Sequence, residues 1–571
     1  MLKELEQESA FRAKPAPSSP RHFKYNVLDI QNHTKTQSMA LGKKGKVDLI
    51  NLNHRVNSWH LLRIKWPRSG QVKYCHLESA DRRQEVRLDA NYKTGVVIVG
   101  ADGRMHHCDL WGQEAGYPLR VAQVRQKPFA TMCNKRLFLR NRIEGYRTTK
   151  EWVVEFLRDN VWGGETITSL VKKSFYKDKF LKTSAVMGEK GPEKSAGGDR
   201  AQTGGPRPGL IDKEFADSHL DGSFTGLPIA GEQKEMRPGH WYRVRRTRGL
   251  YASVIQPRLL PGKIRRSHKD YVKKLDKVEL KAMIYLVAMD LDVLDLGFAL
   301  GTEHPRVVWS SRALPAVVND EDPGPDRIGS YYPLASPGLL NPIESQKIAA
   351  TFTGGFKRSH GAFKWGSRAK KRKGHHYGFI ENGVTFSSLQ PGLGTILITV
   401  DGEVHMRTWK AGDQKKFVIR HARQNGVPLV TWSGEKEEPV PGRFVSNWML
   451  GNWSGSEDQK FRTLRAGLCY QKNSDKRFLI YGYFSSVTPT AMARVFQAYN
   501  CRYAMHLDMN ALEHTYFAAY PVGKKGGKEP RHLVRGMKVL DQRFKGNVPR
   551  FIGYPDNRDF FYLTYKKKGG E

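Results

Sequence analysis

FLIYGYFSSVTPTAMARVFQAYNCRYAMHLDMN, residues 478–510, sets the architecture of the C-terminal half. Phe478 to Phe484 is apolar and aromatic enough for a buried strand. Thr488 followed by Pro489 spells a helix start, an N-cap with proline at the first helical position. Met492, Val495, Phe496 and Tyr499 then recur at i, i+3, i+4 and i+7, one face of a helix. Tyr503 to Leu507 reads as a second strand, ending at Asp508. Strand, helix, strand is a βαβ unit, and ligands often bind beyond the carboxyl ends of such strands. That reasoning singles out Asp508, with Asn510, Glu513 and His514 within a few residues. A carboxylate beside an amide and an imidazole suits acid–base work at an anomeric carbon. A carboxylate that only caps the next element would spell the same.

Working outward, Ala282 to Val293 reads as a buried strand ending in acidic residues. Thr395 to Trp409 is a hairpin, with Ile396, Ile398 and Val400 alternating into an Asp401-Gly402 turn. TFTGGF at 351–356 places two glycines after an apolar approach, where backbone N–H groups can converge on an anion. A plain glycine turn is the other reading. Phe356 to Lys373 is basic, interleaved with Phe363 and Trp365, and suits a solvated loop, a phosphate-attracting rim or stacked nucleic acid.

Upstream, residues 1–25 read as a disordered leader rich in proline. Residues 26–182 read as a β-rich domain of unknown function with helices appended. Its strands include Trp59 to Trp66 and Gln71 to Leu77, and a hairpin turns at Ala101 to Arg104. Thr148 and Glu151 spell a capping box ahead of Trp152, Val153, Phe156 and Leu157, and a second helix is expected over Ile167 to Tyr176. Residues 183–210, rich in Gly, Pro, Ser and charge, read as a linker. Residues 211–280 read as a basic connecting segment, with a strand lead-in near Tyr242 to Ile255. Residues 281–571 form the most legible domain. The fold class expected is α+β: a C-terminal mixed α/β domain with twisted sheets, and an N-terminal β-rich domain.

Composition sets outer bounds. The 571 residues carry 95 Lys and Arg against 56 Asp and Glu, a formal charge of +39 that attracts polyanions. With 39% hydrophobic residues, global disorder is excluded. The five cysteines fit no zinc spacing and imply no disulfide framework, although one pair is compatible with them. The pairs His106-His107 and His375-His376 lack metal-site spacing. Asp290 and Asp292, on one face of a strand, are the remaining candidates for a hard cation such as calcium. No transmembrane segment is expected, because the longest apolar stretch, Met283 to Leu300, holds three aspartates. The N-terminus has no signal-peptide pattern.

The order of these pieces resembles the phosphodiester glycosidase family, whose known member removes N-acetylglucosamine from a phosphodiester-linked mannose. The counterparts are MDLD at 289–292, TGGF at 353–356, VDGE at 400–403, NGVPLVTWSG at 425–434, RTLRAGL at 462–468 and AMHLDMN at 504–510. They cover about half the chain. Thr353 stands where the family usually has Asn, and residues 509–512 replace its glycine run. The resemblance implies a hydrolase cleaving a sugar–phosphate glycosidic bond, with a phosphodiester-linked carbohydrate as partner and an extracytoplasmic setting. It assigns Asp508 to the anomeric carbon, with Glu513 and His514 beside it. Thr353, Gly354, Gly355, Lys357, Arg462, Arg465 and Asn510 would hold the substrate. The alternative is a non-catalytic basic protein that binds an anionic polymer, either a phosphoglycan or nucleic acid.

Overall fold

A computed structural model describes residues 35–51, 54, 56–112, 118–125, 129–140, 204–301, 338–356, 377–387, 389–447, 451–453, 462–523, 528–541, 549–556 and 558–566. The leader, both helices expected between 148 and 176, the linker up to 203, Lys357, the basic run to Lys373 and the His375-His376 pair lie outside the described residues.

The strand over Phe478 to Phe484 is real and longer, Lys476–Val487, because Lys476 and Arg477 continue its ladder with Thr463–Asn473. The helix runs Pro489–Ala498 with Thr488 at its N-cap, and every residue in it is buried. Thr488 does not cap with its own side chain. Its hydroxyl and its N–H both donate to Glu279 Oε1, at 2.5 and 2.9 Å. The second strand is Tyr503–Met509. One strand, Thr463–Asn473, lies between the two and runs antiparallel to both, so they are parallel to each other. A buried cystine, Cys469–Cys501, ties that middle strand to the turn after the helix.

These three strands sit inside an eight-stranded sheet whose pairings are all antiparallel. Strand makes up 42% of the described residues and helix 15%, so they are mostly β with some helices, more so than the expected α+β class with its mixed α/β C-terminal domain supposes. The first two strands of that sheet are Tyr242–Arg243 and Leu250–Ile255. Leu250–Ile255 pairs residue for residue with Ile284–Asp290, and Leu250, Ala252, Val254 and Ile255 are buried. The segment read as a connector is therefore part of the domain. The tail of the linker docks too, with Leu210 N donating to Ala498 O at 2.9 Å.

A five-stranded sheet inserts the late strand Phe560–Tyr565 between Leu294–Ala299 and Ile348–Thr353. This placement brings the residues just before Phe560 beside the double-glycine turn. A third sheet, also five-stranded, holds the hairpin Gly394–Thr399 and Val404–Thr408, turned at Gly402 with φ 87° as Asp-Gly turns require. The N-terminal region is a six-stranded antiparallel sheet with a three-stranded one beside it, around Leu62, Ile64, Leu77, Val96 and Leu139. A second cystine there joins Cys108 to Cys133. No helix among the described residues is long and apolar enough to cross a membrane.

Candidate active site

Asp508 lies on a fully buried strand, and residues two apart on a strand share a face. His506 and Asp508 therefore project to one side. Asp508 is itself 4% exposed. Its Oδ1 accepts from the Met509 N–H at 2.8 Å, and its Oδ2 accepts from Arg558 Nη1. The other guanidinium nitrogen, Nη2, lies 2.7 Å from His514 Nε2. His514 Nδ1 lies 2.5 Å from the Met509 carbonyl. These partners fix the tautomer: Nδ1–H donates to the carbonyl, and the Nε2 lone pair faces the guanidinium. Carboxylate, guanidinium and imidazole thus form one buried chain.

The turn that returns His514 to Asp508 depends on Asn510. Its φ of 87° is a left-handed conformation that asparagine tolerates and most side chains do not. Asparagine thus takes a backbone shape that glycine adopts most readily. Its Oδ1 is buried and makes no hydrogen bond. A short 3-10 turn, Leu512–His514, follows.

Asn425 links the glycine turn to the same strand. Its side chain accepts from Phe356 N–H at 3.1 Å and donates to the carbonyls of His506 and Leu507 at 2.7 and 2.6 Å. The Phe356 ring meets His506 edge-on, with centroids 5.0 Å apart. On the other flank, Gly354 N–H donates to Asp559 O at 2.9 Å, one residue from Arg558. Thr353 donates its hydroxyl to Tyr516 O at 3.2 Å. The Tyr481 hydroxyl is pushed well above its usual range, first by burial, then by Tyr483 and the charge of Asp508.

Thr353, Gly354, Gly355, Asp508 and His514 are therefore brought together, though the glycines do not act as expected. The N–H groups of Gly354 and Phe356 are already donated within the protein, so this turn is not an open anion nest. The glycines are needed for close approach instead. A Cβ on Gly354 would sit 3.0 Å from Asp559 Oδ2, and one on Gly355 2.8 Å from Asn425 Oδ1. Beneath them Asp559 pairs with Arg423 Nε at 2.5 Å, both fully buried. Burial pushes the Asp559 carboxyl up despite that guanidinium.

Arg465 is buried on the neighbouring strand, where burial pulls it down to about 9. It donates to Val487 O and lies 2.8 Å from Met509 Sδ. It also lies against His506, whose ring burial first and Arg465 second hold well below the usual range. Arg462 is exposed and tied to Asp276, which caps the helix Lys277–Lys281. Glu513 contributes its backbone carbonyl, which accepts from Arg550 Nη1 at 2.7 Å.

The metal candidates separate. The strand ends at Asp290, and Asp292 falls in the turn, where its N–H donates to Asp290 Oδ1. Asp290 faces Lys476 and Asp292 faces Arg477, so each carboxylate has a cationic side chain beside it. Among the described residues no three acidic, histidine or cysteine side chains gather as a metal would need. His107 pairs with Asp89 at 2.8 Å.

Arg558, Asp559, Arg423 and Tyr481 were not marked by any local sequence signal. Asn425 was marked only as the start of NGVPLVTWSG. No family model matches the chain, and no curated protein matches it.

Proposed function

We propose that the C-terminal domain hydrolyses the bond between an anomeric carbon and a phosphate oxygen in a phosphodiester-linked sugar. The observation that carries this reading is the Asn425 bridge. It joins two motifs about 150 residues apart, the glycine turn and the Asp508 strand, in the arrangement a single site needs.

Phosphate leaves readily, so the protein's main task is to stabilise an oxocarbenium-like centre and the departing charge. Asp508 is the carboxylate for the anomeric carbon. Arg558 holds it in one orientation and supplies positive charge for the phosphate, a role the glycine amides cannot fill. His514 fixes the far side of that guanidinium. Two cystines support an oxidising, extracytoplasmic setting for this reading. Asp508 is almost fully covered, so substrate entry requires a movement at the end of its strand.

The test is incubation with a panel of sugar-1-phosphodiesters and detection of the freed sugar. Turnover that disappears in Asp508→Asn is expected. The net charge of +39 favours a second reading, an anionic-polymer binder. Retention on DNA or a phosphoglycan that collapses as salt rises, with no turnover of any diester, would favour it instead.

A further inference from the structure

A cleft of about 600 Å³ opens between the N-terminal sheet and the C-terminal domain, and none of the residues around Asp508 lines it. Its size falls in the range of small-molecule sites, which favour domain boundaries. One wall carries Trp59 and Arg82, the other Glu381, Asn382, Arg420 and Tyr562.

The base of the cleft is fixed by polar contacts across the boundary. Glu78 and Arg140 form a buried pair at 2.6 Å. Arg140 Nη2 then donates to Leu340 O at 2.6 Å, and Asn341 Nδ2 donates to Glu78 Oε1 at 2.9 Å. Both Glu78 oxygens are thus met within the protein, whereas Arg140 Nη1 makes no hydrogen bond. Glu381 is less well met than Glu78. It is 2% exposed, yet its Oε2 makes no hydrogen bond, and its nearest cation, Arg82 Nη2, stands 3.7 Å from Oε1. The Asn382 Nδ2 and Arg82 Nη1 atoms also make no hydrogen bond of good geometry, although both side chains lie near enough to the carboxyl to favour its charged form. A buried acceptor and donors left unmet on facing walls of the cleft cost free energy that a polar ligand would recover. Arg420 is exposed and Arg82 half-buried, which puts positive charge at the opening.

We propose that this cleft binds an anionic sugar residue. Its hydroxyls would meet Glu381 and Asn382, its apolar face Trp59 and Tyr562, and its phosphate Arg82 and Arg420. The choice of a phosphorylated sugar rests on the function proposed above, whereas the site rests on the cleft alone. The N-terminal domain would thereby recognise a residue of the glycan away from the bond that is cut.

Calorimetric titration of the full chain with N-acetylglucosamine 1-phosphate tests this, beside N-acetylglucosamine and inorganic phosphate as half-ligands. The Asp508→Asn chain serves as background to prevent turnover, and the part of the binding that substitutions at Arg82 and Glu381 weaken is the part that belongs to the cleft. Saturable binding of the sugar phosphate is expected there, weakened about ten-fold or more by Arg82→Ala and by Glu381→Gln, with each half-ligand at least about ten-fold weaker. Near-ultraviolet circular dichroism establishes that both variants are folded. Absence of saturable binding, or binding that neither substitution changes, overturns the proposal. Cleft binding in a wild-type chain that cleaves no sugar phosphodiester would sink the hydrolase reading and leave this one standing.

Discussion

Arg558 holds the carboxylate of Asp508 from fifty positions further along the chain, and both side chains are buried. Removing one partner of a buried pair leaves an uncompensated charge. Arg558→Met is therefore expected to cost about 3–5 kcal/mol, and Asp508→Asn, which keeps the shape, about 1–3 kcal/mol. The double variant should lose clearly less than the sum. Urea unfolding of all four chains measures the coupling, and simple additivity would show that the pair does not act as a unit.

The glycine turn is expected to be intolerant for steric reasons. Gly355→Ala would press a methyl onto Asn425 Oδ1 and, at 3.0 Å, onto Arg423 Nη2. A loss of about 1–3 kcal/mol should follow, together with weaker activity. Gly434 has open space around its Cβ position and an ordinary φ, so Gly434→Ala should be close to neutral in the same unfolding assay.

Three buried histidines should make the fold acid-sensitive. Burial lowers His60 to about 4 and holds His421 and His506 well below their ordinary value. Each folded-state pKa is depressed, so the unfolded chain binds protons first as pH falls below about 6.5. Stability is present above that pH and drains away below it, by about 3 kcal/mol for His60 once pH reaches 4. Unfolding free energies at pH 7.5, 6 and 5 check this. His60→Gln should flatten part of the slope, and an unchanged slope would count against a neutral buried ring.

Glu381 should act in the opposite sense. Burial raises its carboxyl to about 6, above its unfolded value, so it favours folding below the unfolded pKa and loses that contribution as pH rises through 6. Glu381→Gln is expected to stabilise the protein by about 2 kcal/mol at pH 7.5 and to change little at pH 4. Thermal unfolding at the two pH values measures the difference. Equal effects at both would mean the carboxyl is not buried as described.

The sequence made local order readable and long-range neighbours unreadable. The Asp401-Gly402 hairpin and the Pro489–Ala498 helix follow from turn chemistry and apolar period, which act over a few residues. The strand Tyr503–Met509 was legible for the same reason, and with it the position of Asp508. Arg558 and Asp559 were not. They reach the site because Phe560–Tyr565 inserts beside Ile348–Thr353, and nothing in RDFFYL states which strand it will pair with. A strand lead-in was legible near Tyr242 to Ile255, but its place in the C-terminal sheet was not, because the pairing of Leu250–Ile255 with Ile284–Asp290 is set by contacts far apart in sequence. The cystines joining positions 25 and 32 residues apart carry no spacing signal of their own.

On the proposed function, a sugar phosphate reacts at the buried chain of Asp508, Arg558 and His514. The most direct measurement is a crystal structure of the Asp508→Asn chain soaked with a sugar-1-phosphodiester. The ligand's phosphate is expected against the Arg558 guanidinium, with its anomeric carbon facing residue 508. A ligand found only in the interdomain cleft, or a strand end at Asp508 that stays closed at saturating ligand, would contradict this.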